Sequence, residues 1–167
     1  MAGTRIIDGI TAGLLGGLAM DMLWYARHRA DGGTSSFREF EFGGDPDDVD
    51  EAGPPAQLAA MVAESVGTQV PDERADLASN AVHWATAVGY GLLGAAAPGP
   101  RSVPGRGTVI GLGSFAASYA VLGALGLYDP IWEYDRETLA QDATAHLVYG
   151  LAAAGALALL DGRRGGA

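Results

Sequence analysis

The spacing of charged residues is the feature that most constrains how this chain folds. Four long stretches carry at most two Asp, Glu or Arg side chains, and they are 6–26, 77–100, 107–128 and 143–160. A helix needs about 20 predominantly apolar residues to cross a bilayer. The stretches therefore predict an all-α fold, a four-helix transmembrane bundle in one integral membrane domain over 1–167. We expect the spans near 6–27, 80–98, 107–128 and 141–160.

A soluble four-helix bundle is the main alternative for this pattern. Its helices would carry polar side chains on one face at a 3.6-residue period. The stretches 107–128 and 143–160 are apolar or small almost all round, which favours membrane spans. A cleavable signal peptide over 1–25 is disfavoured, because Asp8 interrupts its apolar core and no small-residue cleavage site follows.

The overall composition narrows the classes of partner and chemistry. The ten basic residues are all Arg, they face twenty Asp and Glu, and the formal net charge is −10. This acidic balance argues against nucleic acid as a partner. The absence of Cys excludes a disulfide framework, a thiolate zinc site and a Cys nucleophile. The lipid bilayer is the partner that the composition predicts.

The two sides of the predicted bundle differ in charge. One side carries both termini and the 98–106 loop, with several Arg and almost no acid; the other carries an acidic outer loop, 28–79. The positive-inside rule then predicts a multi-pass protein of the plasma membrane with both termini cytoplasmic. Within the outer loop, Pro54-Pro55 opens a short helix that we expect to lie at the membrane interface. The acids of this loop are interpreted as solvated surface, with cation binding as the alternative.

Small residues recur at four-residue spacing in the predicted spans. Those expected to support helix packing are Gly9, Gly13, Gly17, Gly91 and Gly111. Such GxxxG-type patterns let membrane helices approach closely. We expect a tight intramolecular bundle, with a homo-oligomer or a larger membrane complex as the alternative use of the same face.

A cluster of polar residues is predicted at the outer ends of the spans. Its candidate members are Asp21, His83, Glu133, Asp142 and His146. The aromatic residues on the same side, expected as interfacial anchors, are Trp24, Trp84 and Trp132. Ionisable groups inside a membrane are costly and often mark ion or substrate sites.

Three interpretations of this cluster remain open. The His and Asp side chains could pair to hold the outer rim together, or form a site for an ion or small solute. No cofactor is expected, although a metal or a haem held by His83 and His146 is an alternative. The chain shows no catalytic motif, so we predict no enzyme and assign no catalytic residue.

The second half of the chain resembles the YagU-like family of multi-spanning membrane proteins of unknown function. The similarity rests on three segments, namely His83-Trp84 followed by Gly89-Tyr90-Gly91, the loop 126–133 (GLYDPIWE), and 146–150 (HLVYG). It covers roughly residues 54–160. The resemblance implies a four-span membrane protein and no particular activity.

These observations lead to two functional hypotheses. The first is a non-enzymatic structural or accessory component of the membrane, such as a subunit of a larger complex. The alternative is a transporter of a small solute, a proton or a metal ion that uses the outer-leaflet His/Asp cluster. A cavity beside the two His residues would favour the second hypothesis.

Overall fold

The structure is a computed structural model that describes residues 2–42, 49, 53–100 and 102–165. Its α-helices are α1 (Ala2–Ala30), α2 (Phe37–Phe42), α3 (Pro54–Ser65), α4 (Ala75–Ala96), α5 (Val103–Ala124) and α6 (Arg136–Gly165). Short 3-10 turns cover Asp72–Arg74 and Ile131–Glu133. The all-α prediction is confirmed for the part of the chain described here. Several acids of the predicted outer loop and Arg101 lie outside these residues.

Three of the long helices are apolar enough to cross a membrane. The stretches that meet this condition are Arg5–Ala30 in α1, Val103–Ala124 in α5 and Arg136–Arg163 in α6. Helix α4 has 22 residues, and polar side chains such as Asn80, His83 and Tyr90 lower its hydropathy. By length and composition the fold thus has three candidate spans among the four predicted.

The helix ends differ from the predicted spans for local reasons. Helix α5 ends at Ala124 rather than near 128, because Gly126 adopts φ of +74° and its N–H donates to the carbonyl of Gly123. The N–H of Leu127 donates to Leu122, which completes a Schellman motif. Helix α4 likewise ends two residues before the predicted 98, where Ala97 becomes extended ahead of a proline.

Helix α6 begins five residues before the predicted span, at Arg136. Asp135 caps it, since its Oδ1 accepts hydrogen bonds from the N–H groups of Glu137 and Thr138 at 2.8 and 2.9 Å. The bond from Thr138 holds the pKa of Asp135 below its usual value. This early start places Asp142 within the second turn of the helix.

The four long helices run antiparallel in chain order and form an open bundle. Helix α1 packs against both α4 and α6, and α5 packs mainly against α6. Helices α4 and α5 barely touch, so one side of the bundle is open. We call the end where α1 begins and α6 ends the terminal end, and the opposite end the loop end. Helix α3 packs on α4.

Glycines set the contact between α1 and α4. A Cβ atom at Gly13 would lie 2.5 Å from the carbonyl oxygen of Ala87, and one at Gly9 would lie 2.8 Å from Cα of Leu92. A Cβ at Gly91 would collide with the backbone of both glycines, whereas Gly17 lies against Ala87 and Trp84. The predicted packing glycines of the first two spans therefore lie at one intramolecular helix contact.

A second glycine contact joins α5 and α6. A Cβ at Gly107 would lie 2.8 Å from Cα of Leu151, and one at Gly111 would lie 2.6 Å from the carbonyl oxygen of His146. On α6, Gly150 faces the backbone of both glycines. Gly150 was not among the predicted packing residues, although Ala154 and Ala158 follow it at the same four-residue spacing.

The core between these pairs is small. Its buried members are Ala12, Ala87, Tyr149, Ala153, Ala156 and Leu157. The hydroxyl of Tyr149 donates to the carbonyl of Ala87 at 2.6 Å and so ties α6 to α4. Many large apolar side chains are instead exposed, including Leu14, Leu18, Val109 and Leu159, as expected for helices that face lipid.

Candidate functional site

The polar core of the candidate site is a pair between α1 and α4. Asp21 is only 5% exposed. Nε2 of His83 lies 3.0 Å from its Oδ1 and 3.2 Å from its Oδ2. The structure thus brings together two of the predicted cluster residues. Both are held at the loop end by the glycine-packed α1–α4 contact further along the same helices.

Glu41 of α2 joins this pair and is not among the residues predicted from the sequence. The indole Nε1 of Trp84 donates to Glu41 Oε1 at 3.2 Å, and the Asn80 amide donates to the Glu41 carbonyl at 2.8 Å. Burial and the Asp21 carboxylate raise the pKa of Glu41, against the opposing effects of His83 and the Trp84 hydrogen bond. One imidazole and two carboxylates therefore meet at the loop end.

The position of Glu41 follows from the local sequence of α2. Ser36 and Glu39 cap the helix reciprocally, since the Ser36 N–H donates to Glu39 and the Glu39 N–H donates to the Ser36 hydroxyl. Phe37 and Phe40 pack on Tyr25 of α1, with ring centroids 5.4 and 5.5 Å apart. This aromatic contact holds α2 against the bundle, and the only sequence signal for it was the alternation of Phe and acid in 37–42 (FREFEF).

A cleft of about 290 Å³ also borders His83 and lies where α4 and α5 separate. Helices α1, α3 and α6 supply the rest of its wall. The polar residues that line it are His83, Thr86, Tyr90, Ser114, Ser118, Tyr128, Asp142, His146 and Tyr149. The hydroxyls of Tyr90 and Ser118 lie 3.2 Å apart across the gap between α4 and α5. Three predicted cluster residues therefore share one cavity.

Asp142 and His146 are both held by local contacts within this cleft. The Tyr119 hydroxyl donates to Asp142 Oδ2 at 2.7 Å and links α5 to α6. Nδ1 of His146 lies 2.9 Å from the carbonyl oxygen of Asp142. Because a carbonyl oxygen only accepts, Nδ1 carries the proton, and Nε2 of a neutral His146 ring holds a free electron pair.

Three tyrosines form an aromatic group next to Asp142 at the loop end. The ring of Tyr119 lies 5.1 Å from that of Tyr128 and 5.4 Å from that of Tyr134, measured between centroids. Burial, together with the nearby Asp142, raises the pKa of Tyr128. Tyr119 and Tyr128 therefore form the aromatic surroundings of the carboxylate, and Tyr134 packs against both rings.

The loop residues predicted to join the cluster lie elsewhere. Glu133 is exposed on the 3-10 turn Ile131–Glu133 and is not among the residues that line the cleft. The turn closes through a 2.8 Å bond from the Glu133 N–H to Pro130, and it is Tyr134 that enters the aromatic group. A site role for Glu133 stays a prediction.

The three tryptophans have different surroundings. Trp132 is 81% exposed, as expected of an interfacial anchor. Trp24 borders the cleft, and the guanidinium of Arg27 lies 4.7 Å from its ring centroid. Trp84 donates to Glu41. Two of the predicted anchors thus contribute to the site itself.

A metal or haem between His83 and His146 finds little support in this geometry. Although both rings border the cleft, Nε2 of His83 faces Asp21, so an ion bound to that nitrogen would lie beside Asp21 and not between the two imidazoles. The arrangement is better suited to proton exchange or cation binding, because His changes charge near neutral pH.

His83 borders two cavities. Besides the cleft, it lines a smaller space of about 230 Å³, which we call the rim cavity. The rim cavity is also lined by Asp21, Glu41, Ser79 and Asn80. One imidazole therefore lies between an inner cleft and an outer acidic pair.

Comparison of this chain with known protein families, curated proteins and solved structures finds no match.

Proposed function

We propose that this protein spans the membrane four times and passes protons or small cations through the cleft between α4 and α5. The carrying observation is the cavity that places His83, Asp142 and His146 together. Ionisable side chains at membrane depth are typical of ion pathways and proton relays.

The packing of α4 supports its role as the fourth span. Helix α4 lies antiparallel against α1, from the Asp21–His83 pair to the contact of Gly9 with Leu92. A bilayer that surrounds α1 therefore surrounds α4 as well. Its polar residues His83 and Tyr90 line the cleft. A spanning helix can have a lower hydropathy when its polar side chains face a cavity inside the protein.

The distribution of charge supports an orientation with both termini in the cytoplasm. Arg5, Arg106 and Arg163 lie near the terminal end, and the acidic residues that the structure describes between 31 and 42 and between 64 and 76 belong to the loop end. The positive-inside rule places the Arg-bearing end in the cytoplasm. The plasma membrane is the proposed location, and the cleft then lies in the outer half of the bilayer.

Proton flux into liposomes tests the proposed function. The purified protein is reconstituted with pyranine trapped inside, and valinomycin with a potassium gradient supplies the driving force. We expect proton entry well above that of empty liposomes, and a loss of at least about fivefold in His146→Ala, because removing the base near the operating pH removes a relay step.

His28→Ala is the matched control for this measurement. His28 lies at the loop end of α1, bonded to Ser35 and packed against Phe40, and it does not line the cleft. Its variant should retain the wild-type rate. Equal rates for wild-type protein and empty liposomes, or an equal loss in both His variants, would contradict the proposal.

A structural or accessory role is the second candidate. It is favoured because every buried side-chain nitrogen and oxygen among the described residues has a hydrogen-bond partner, as in a cluster that only holds the bundle together. Under this role, folded His146→Ala protein would show the same proton flux as the wild-type protein. A partner subunit would co-purify stoichiometrically from the native membrane.

A further inference from the structure

We propose that Asp21, Glu41 and His83 bind one divalent transition-metal ion of the Zn²⁺ or Mn²⁺ class at the loop end. This inference goes beyond the proposed function, since it concerns the rim cavity and holds whether or not the cleft passes protons. The three residues come from α1, α2 and α4, so the fold alone assembles them.

The donor atoms are close to a coordination geometry. One donor atom from each residue can be chosen so that all three lie within 4.8 Å of one another. The Asp21–His83 separation of 3.0 Å approaches the edge of about 3.3 Å that bonds of about 2.0 Å make in a tetrahedral site. An ion requires only that His83 lose its Nε2 proton and that the Glu41 carboxylate move inwards.

Trp84 orients the third ligand. Its indole donates to Oε1 of Glu41 and leaves Oε2 with a free electron pair. A ligating carboxylate held by a hydrogen bond from an outer residue is a recurring feature of metal sites. The structure therefore contains both the ligand and the group that would position it.

The charge and burial of the cluster favour a cation. Two carboxylates lie near each other, and Asp21 is almost fully buried. His83 supplies at most one positive charge, so the cluster remains acidic when both carboxylates are ionised. A divalent ion would compensate that charge in a place where water can do so only in part.

The ligand types and the available space indicate the class of ion. An imidazole nitrogen beside carboxylates suits Zn²⁺, Mn²⁺ and Fe²⁺, whereas Ca²⁺ and Mg²⁺ prefer oxygen ligands alone. Three protein ligands leave a coordination position open for water. The rim cavity of about 230 Å³ provides room for that water and a route for the ion.

Zinc titration of the tag-free, full-length protein in detergent tests this inference. Isothermal titration with ZnCl₂ should give one saturable site in the wild-type protein and at least a tenfold loss of affinity in Glu41→Gln. The matched control is Glu39→Gln on the same helix. Glu39 is exposed, and Gln at this position keeps a side-chain oxygen that can accept from the Ser36 N–H, so the cap of α2 is retained and the variant should bind as wild type does.

Further variants separate this site from the cleft. Asp21→Asn and His83→Ala should also weaken zinc binding at least tenfold, whereas His146→Ala should not change it. In case Asp21→Asn or His83→Ala fails to fold, thermal unfolding provides a second readout. Zn²⁺ should raise the melting temperature of the wild-type and Glu39→Gln proteins but not of Glu41→Gln.

Several results would overturn the inference. They are the absence of one-site zinc binding in the wild-type protein, unchanged binding in Glu41→Gln, an equal loss in Glu39→Gln, and equally tight binding of Mg²⁺. If zinc binding were lost in His146→Ala but kept in the variants of the other three residues, the ion would lie in the cleft, and the inference would also be overturned. Proton flux is measured separately, so failure of one proposal is distinguishable from failure of the other.

Discussion

The terminal half and the loop half of this bundle are held together by different means. Near the terminal end, backbones approach directly across glycines, as Gly13 does against Ala87 and Gly107 against Leu151. Near the loop end, the helices are joined by polar side chains, including the Asp21–His83 pair and the bond from Tyr119 to Asp142.

The difference shows how one bundle can be both closed and open. Direct backbone contact leaves no space between the two helices that it joins, whereas at the loop end α4 and α5 are linked by polar side chains and a cleft remains between them. The cleft and the rim cavity both border His83. The terminal half should thus be sensitive to added volume, and the loop half to lost polar partners.

Added volume in the terminal half should have the largest effect. Gly13→Leu would place side-chain atoms against the backbone of Ala87 and Val88, which cannot rotate away. We expect the free energy of unfolding to fall by about 3 kcal/mol or more, which is at the upper range for an overpacked core. Reversible unfolding in detergent measures this change.

Gly113→Leu is the matched control on the exposed side of α5. No atom lies within 4 Å of a Cβ built there, so stability should stay level or rise slightly through helix propensity. If both variants were equally stable, the direct backbone contact of the terminal half would be refuted.

Loss of a charged partner in the loop half should have an intermediate effect. His83→Ala leaves the buried Asp21 carboxylate unpaired. We expect the free energy of unfolding to fall by about 2 kcal/mol. This is less than for breaking a fully buried ion pair, because a third of the His83 side chain is exposed. The measurement is again unfolding in detergent.

The double variant His83→Ala with Asp21→Asn sharpens this comparison. Neutralising Asp21 removes the unpaired charge, so the double variant should be more stable than His83→Ala alone. A double variant that is less stable than the single one would mean that charge pairing does not hold the loop half together.

Loss of one hydrogen bond in the loop half should have the smallest effect on the free energy of unfolding. Tyr119→Phe removes the donor to Asp142 and should cost about 0.6 to 1.7 kcal/mol, the range for interhelical bonds in membrane proteins. Thr108→Val is the control, because its hydroxyl bonds within its own helix. An equal change in both variants would show that the α5–α6 bond adds nothing specific.

The helices that follow from a local sequence pattern could be predicted from the sequence. The spacing of charged residues identified the regions of all four long helices, although the ends of α4 and α5 were wrong by two and four residues. Those ends are set by Gly126 and by the proline after Ala97. The spacing of charged residues carries no information about either residue. The four-residue spacing of Gly9, Gly13 and Gly17 correctly indicated an intramolecular contact.

The same reasoning found only part of the site. Asp21, His83, Asp142 and His146 were identified because ionisable residues in apolar stretches are conspicuous. Glu41 lies in a loop rich in acids, where one carboxylate resembles any other. Glu41 joins the site because Phe37 and Phe40 pack on α1 and hold α2 against the bundle. This is a contact between distant segments, and no local sequence pattern predicts it.

The sequence by itself determined where apolar helices form and which of their residues carry unusual polarity, because both depend on composition over about 20 residues. Only the tertiary structure decided that α4 and α5 separate and that Glu41, rather than Glu133, joins the outer polar pair. The physical reason is that helix pairing depends on how closely particular backbones approach. That approach is set by glycines on two different helices at once.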